Sequence, residues 1–171
     1  KYISGEYVAI LDTDDLSLPG RISKQVNFFL ENKNISVLGG NSYFIDNNGN
    51  IIGNTDCNNS IKELSKKIFY SFPLINSTLM FKKKCVDSVG GYPKEYTMIN
   101  DYVLVYNLSK KFTIANTLDF LSKTRSHQDS LTNKKHLTNL IEQYNFLTEI
   151  SLKIKNKEVW KKNQIYISRY Y

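Results

Sequence analysis

Short apolar runs alternate with segments of helical period along this chain, the arrangement expected of an α/β sheet. Tyr7 to Leu11 has the composition and length of a buried strand, and it stops at Asp12. Ile22, Val26, Phe29 and Leu30 then recur at i, i+4, i+7 and i+8 with Pro19 in the first turn, predicting a helix with that face in the core. Ile35 to Leu38 reads as a short buried strand closed by Gly39-Gly40. Asn41 to Ile45 and Ile51-Ile52 flank Asp46-Asn47-Asn48-Gly49-Asn50, which predicts a hairpin. Asn54 to Asn59 is polar and reads as a mobile link. Ser60-Ile61-Lys62-Glu63 has the capping-box pattern ahead of Leu64, Ile68 and Phe69, so a helix begins there. Ile75 to Phe81 reads as a strand, followed by a short helix that ends at Gly90-Gly91-Tyr92. Asn100-Asp101-Tyr102 opens a helix whose Leu104, Val105 and Leu108 face a core. Phe112 to Ala115 and Leu118 to Ser122 read as two short strands with Asn116-Thr117 between them. From Lys134 onward Leu137, Leu140, Ile141, Tyr144 and Leu147 form a stripe at helical spacing.

Chemistry enters at the end of the first strand, where Asp12, Asp14 and Asp15 crowd together. Clustered carboxylates repel one another, and a shared divalent cation relieves that repulsion. Capping of the following helix by Asp14 or Asp15 explains the same residues without a metal. Strand, acidic loop and helix in that order form the ligand-bearing edge of an α/β sheet, beyond the carboxyl ends of its strands. Asp101 has a similar double reading, since an acid in the first turn of a helix also interacts favourably with the helix dipole.

GEYVAILDTDDLSLPGRISKQ resembles the Asp-x-Asp region of family 2 glycosyltransferases, GT-A enzymes that use nucleotide-diphospho-sugars. STLMFKKKCVDSVGGY is similar to the segment that enters the glycine loop beside their acceptor site. Asn100-Asp101 stands where the family has a Glu-Asp pair. TRSHQDSLT resembles its Tyr-Arg-x-His-x-x-Ser ending, with Thr124 in place of Tyr. The resemblance covers Gly5 to about Thr132, and it implies a GT-A, Rossmann-like mixed sheet flanked by helices, with the N-terminal nucleotide-binding βαβ units missing. It divides the chain into a partial catalytic domain, 1–132, and a helical basic and aromatic extension, 133–171, and it implies that this piece alone is inactive.

The same resemblance assigns roles. Asp15 is the first choice for direct contact with Mn²⁺ or Mg²⁺, Asp14 serves the ribose or the metal's water shell, and Asp12 lies further back on the donor side. Arg125 is expected to bind donor, and His127 to complete the metal or pyrophosphate site. Asp101 is the general base that takes the proton from the acceptor hydroxyl. Gly90, Gly91, Tyr92 and Asn100 fall on the acceptor side. The implied reaction is inverting transfer from a nucleotide-diphospho-sugar to a saccharide or lipid-linked acceptor, in cell-surface polysaccharide or glycolipid synthesis.

Composition narrows the alternatives. The 171 residues, 41% of them hydrophobic, can bury one sizeable core. The net charge of +7 would suit a polyanion, but only Arg21, Arg125 and Arg169 among the 23 basic residues are arginines, and the lysines are spread along the chain. That argues for a solvated surface and against nucleic acid. Cys57 and Cys85 lie in no metal-ligand spacing and read as reduced thiols of a cytoplasmic protein. No apolar stretch approaches the ~20 residues needed to cross a bilayer. Residues 151–171, with Lys153, Lys155, Lys157, Trp160, Lys161, Lys162, Tyr166, Tyr170 and Tyr171, suit peripheral contact with the inner face of a membrane, packing on another part of the protein, or a solvated helix. A binding or scaffold domain that keeps the fold without catalysis, and a basic surface module, are the competing function classes.

Overall fold

The computed structural model describes residues 3–127, 134–154 and 161–164. Its strands are β1 (Tyr7–Ala9), β2 (Leu16–Ser17), β3 (Ile35–Ile45), β4 (Ile51–Asn54), β5 (Met80–Lys82) and β6 (Thr113–Arg125). Helices α1 (Arg21–Glu31), α2 (Ile61–Lys67), α3 (Lys83–Asp87), α4 (Asn100–Ser109) and α5 (His136–Ile154) flank them, with one turn of 3₁₀ helix at Asn76–Thr78. The sheet order is β1-β5-β3-β6-β2, with β4 paired to the far end of β3. Among the described strands β3 and β6 pair in parallel and the other pairs are antiparallel. It is a mixed, GT-A-like α/β sheet in which β1, β3 and β6 run the same way.

The pleat sends neighbouring side chains to opposite faces and so makes two cores. Val37, Phe81 and Ile114 point into the larger, with α2, α4 and α5; Leu38, Met80 and Ala115 point into the smaller, against Phe29 of α1. Helix α5 belongs to the larger core. Phe146, Leu147 and Ile150 are buried there, and the Phe146 ring meets Tyr96, Tyr102 and Tyr106 edge to face. The boundary drawn at residue 132 therefore does not separate two cores. Of the expected stripe, Leu147 is buried, whereas Leu137, Ile141 and Tyr144 are exposed.

Several expectations are corrected. Strand β1 is shorter than Tyr7 to Leu11 and only half-buried, because it lies at the sheet edge and pairs with β5 alone. Gly39-Gly40 does not end a strand. Strand β3 runs straight through, and a β-carbon on Gly40 would meet Leu121 Cδ1 at 2.6 Å and the Asp119 carbonyl at 3.0 Å, so glycine lets β6 pass close. Likewise Asn116-Thr117 lies inside the single strand β6, with the register shifts that the pairing with β3 requires. Helix α1 is turned from its expected face: Arg21, Gln25 and Phe29 are buried, while Ile22 and Leu30 are 52% and 58% exposed. Asn54 to Asn59 is pinned rather than loose, since Asn41 Oδ1 accepts the Cys57 N–H at 2.7 Å and β4 extends to Asn54. The hairpin, the Ser60 capping box and the core face of α4 are as expected.

Candidate active site

The cleft lies beyond the carboxyl ends of β1 and β6, where α/β sheets place their ligands. It encloses about 750 Å³, and its lining includes Asp12, Asp14, Asp15, Asn76, Asn100, Asp101, Arg125 and His127. The β1–β2 loop, the 3₁₀ turn, the start of α4 and the end of β6 each supply part of it.

The three acidic side chains of the loop diverge rather than converge. Asp12 accepts from Asn76 Nδ2 at 3.0 Å and from Ser77 Oγ at 2.9 Å. Asp14 meets His127 Nε2 at 3.0 Å, and that imidazole holds its carboxyl below the usual carboxylate range. Asp15 is 7% exposed and accepts the Arg125 backbone N–H at 2.8 Å, which locks the loop to the end of β6. Mutual repulsion of the carboxylates is thus relieved by separate partners, and Asp14, not Asp15, is the one paired with the imidazole. Among the described residues no three His, Cys, Asp or Glu side chains form a group that could hold a metal by themselves.

Arg125 works mainly as a strut. Its guanidinium donates to the carbonyls of Asp14, Asp46 and Asn47, tying the β3–β4 turn to the acidic loop. Arg21 does similar work beneath the site. It is buried, and its Nη2 donates to the Ile10 carbonyl at 2.7 Å and to the Leu79 carbonyl at 3.1 Å, fixing the end of β1.

Across the cleft, Asp101 sits in the first turn of α4. Burial pushes its carboxyl up to about 6, with Asp12 adding to the rise and backbone N–H bonds opposing it. Its Oδ1 accepts the Tyr102 N–H at 2.7 Å. The helix N-cap is Ile99, without a side-chain cap bond, and Asp101 satisfies a first-turn amide from inside the helix instead. Tyr92 is pushed up to about 12 by burial and by the Asp101 and Asp12 carboxylates, although 42% of the residue is exposed; it feels both charges without lining the cleft. Gly90 and Gly91 take φ of 85° and 79° in the turn after α3, and neither lines the cleft. Ser130 of the last motif, and Lys155, Lys157, Trp160, Tyr166, Tyr170 and Tyr171 of the basic tail, lie outside the described residues.

Sequence reasoning missed Asn76 and Ser77, which stood inside an expected strand, and Glu142, which stood on the polar side of an expected helix. Glu142 accepts N–H groups of Thr97, Met98 and Ile99, the residues that lead into α4.

A mixed sheet with an acidic loop at one strand end and a half-buried carboxyl facing it across a cleft fits a GT-A-like domain. The glycosyl transferase family 2 model matches residues 1–90, and the chain belongs to that family. It is 30% identical over 156 residues to an uncharacterised glycosyltransferase of Methanocaldococcus jannaschii, covering 79% of this chain and 54% of that protein. It is also 30% identical over 139 residues to WfgD of Escherichia coli, a UDP-Glc:α-D-GlcNAc-diphosphoundecaprenol β-1,3-glucosyltransferase, covering 79% of this chain and 51% of the relative. The chain thus spans about half the length of these relatives.

Proposed function

We propose that the complete protein transfers a sugar, with inversion, from a nucleotide-diphospho-sugar to an acceptor hydroxyl, with Asp101 as general base. The observation that carries this is the opposition, in one cleft, of the Asp14–His127 pair and a carboxyl raised to about 6. A base of that pKa is ionised at neutral pH yet takes up a proton more readily than an ordinary carboxylate. Asn100 neighbours it on the acceptor side, and Tyr92 is near enough for the Asp101 charge to raise its phenol.

Asp14 and His127 supply one carboxylate and one imidazole. That set suits Mg²⁺ or Mn²⁺, which commonly take one or two protein ligands beside substrate phosphates and water. Held there, such a cation would supply positive charge beside the diphosphate leaving group. Asp14 would hold it, with His127 beside it. Asp12, fixed by Asn76 and Ser77, stands ready for donor hydroxyls, and Asp15 with Arg125 keeps the loop in shape.

The E. coli relative's acceptor is lipid-linked, which supports a lipid-linked or saccharide acceptor here and a role in glycolipid or polysaccharide synthesis. No described helix is long and apolar enough to cross a membrane. Residues 161–164 pack on the fold, since Asn163 Nδ2 donates to the Leu147 carbonyl at 3.2 Å and to Ser151 Oγ at 2.6 Å. Contact with the inner face of a membrane would fall to the rest of 151–171.

Calorimetric titration of UDP with Mn²⁺ into the complete protein tests the donor side. Asp14→Ala should weaken metal-dependent binding at least tenfold, about 1.4 kcal/mol, while leaving stability nearly unchanged. Asp15→Ala should instead lower stability by about 1–3 kcal/mol, because it strips a buried N–H of its acceptor. Equal binding by wild type and Asp14→Ala, with or without chelator, would refute the metal assignment.

A further inference from the structure

The chain entering α4 belongs to no regular element, yet it carries Thr97 and Met98 into the cleft and delivers Asn100 and Asp101 immediately afterwards. Its own sequence does little to fix it, because Ile99 offers no capping side chain. The anchor comes from α5. Glu142 Oε1 accepts the Thr97 N–H at 3.0 Å and the Thr97 hydroxyl at 2.8 Å, while Oε2 accepts the N–H groups of Met98 at 2.8 Å and Ile99 at 3.3 Å. Successive backbone N–H groups turned toward one point form a concavity that favours an anion. Here a side chain of the same molecule fills it. Burial opposes the charge on Glu142, but the bonds from Met98, Thr97 and Ile99 outweigh it and hold the carboxyl below the usual range.

We infer that Glu142 is a positioning residue for the acceptor side: by clamping Thr97–Ile99 it sets the first turn of α4, and with it the direction and burial of Asp101. The inference rests on the reading of Asp101 as the base. Both carboxylate oxygens are used, so glutamine is not an equivalent replacement. Its NH₂ would have to face one set of N–H donors. The groups facing Asp101 are Asp12 from the acidic loop and Tyr92 from the turn after α3. Tyr96 is the titratable group that feels Glu142, and Glu149 and Glu95 act on that same phenol. None of these can take over the clamp from its place, because the Thr97, Met98 and Ile99 amides all point to Glu142.

The test uses the complete protein labelled with ¹³C at aspartate carboxyls, the Asp101 signal being the one lost in Asp101→Asn. Wild type, Glu142→Gln and Glu142→Ala are titrated with pH, and melting temperature is recorded for each. The clamp predicts that the Asp101 midpoint falls by at least one unit toward the ordinary carboxylate value in both variants, as the first turn loosens and water reaches it. The acid limb of UDP-glucose-dependent transfer should fall with it, and UDP–Mn²⁺ affinity should stay within about twofold. An unchanged midpoint beside a lowered melting temperature would overturn the inference and leave Glu142 a structural staple. If Glu142→Ala does not fold, Glu142→Gln, which keeps the size of the side chain, decides the question. The midpoint is read whether or not Asp101 is the base. Transfer retained in Asp101→Asn would therefore sink that reading separately.

Discussion

A carboxyl raised by burial works against the fold whenever it is ionised. The Asp101 pKa rises from 3.8 to about 6 in the folded state, so the native protein binds a proton there that the unfolded chain has released. Its contribution is complete below about pH 4 and is lost as pH climbs through about 6, at most roughly 3 kcal/mol. Asp101→Asn has no such dependence. Denaturant titrations should accordingly show the variant equal to or more stable than wild type at pH 8, with the advantage gone at pH 4. A variant less stable at pH 8 would mean that Asp101 serves the fold. That Asp12, Asp14, Asp15, Asp101, Arg125 and His127 gather at one cleft was legible in the sequence through the order of the motifs, since each acid alone could also be a helix cap. Their separate duties were not legible. Asp12 finds Ser77 and Asp15 finds the Arg125 amide only after the sheet has formed, and nothing local to Glu142 announces bonds to Thr97–Ile99.

Strands β3 and β6 hold the acidic loop and the β3–β4 turn in register, and their close approach depends on Gly39 and Gly40. A β-carbon at Gly39 would meet Asn116 Oδ1 at 2.5 Å, a side chain with some freedom, whereas at Gly40 the Asp119 backbone stands at 3.0 Å. Gly40→Ala should therefore cost about 1–3 kcal/mol in urea unfolding, and Gly39→Ala less. Equal, negligible costs would show that the strand pair has slack. The glycines read as a terminator because a paired Gly-Gly marks either a turn or a close approach, and only the parallel partner, far along the chain, distinguishes the two. The rotated face of α1 has a similar origin. Arg21 and Gln25 satisfy carbonyls of Ile10, Leu79 and Thr78 at the sheet, and that polar demand overrides the apolar spacing of Ile22 and Leu30.

The larger core reaches from β5 to α5, so the carboxyl-terminal helix is part of what makes the cleft. Phe146, surrounded by Tyr96, Tyr102 and Tyr106, should cost about 3–5 kcal/mol when cut to alanine, measured by equilibrium unfolding. A loss under 1 kcal/mol would mean that α5 is dispensable. Motif order was enough to point to an α/β fold of the glycosyl transferase family 2. The motifs end near residue 132 while the packing of the larger core continues into the helix beyond it. Proton removal by Asp101 is tested most directly by the rate of sugar transfer by the complete protein and by Asp101→Asn across pH. Wild-type transfer should rise as pH passes through about 6, and Asp101→Asn should lose ~10² to 10⁴ of the rate at every pH, with UDP–Mn²⁺ binding intact. Transfer by Asp101→Asn within a few-fold of wild type, with the same rise near pH 6, would contradict it.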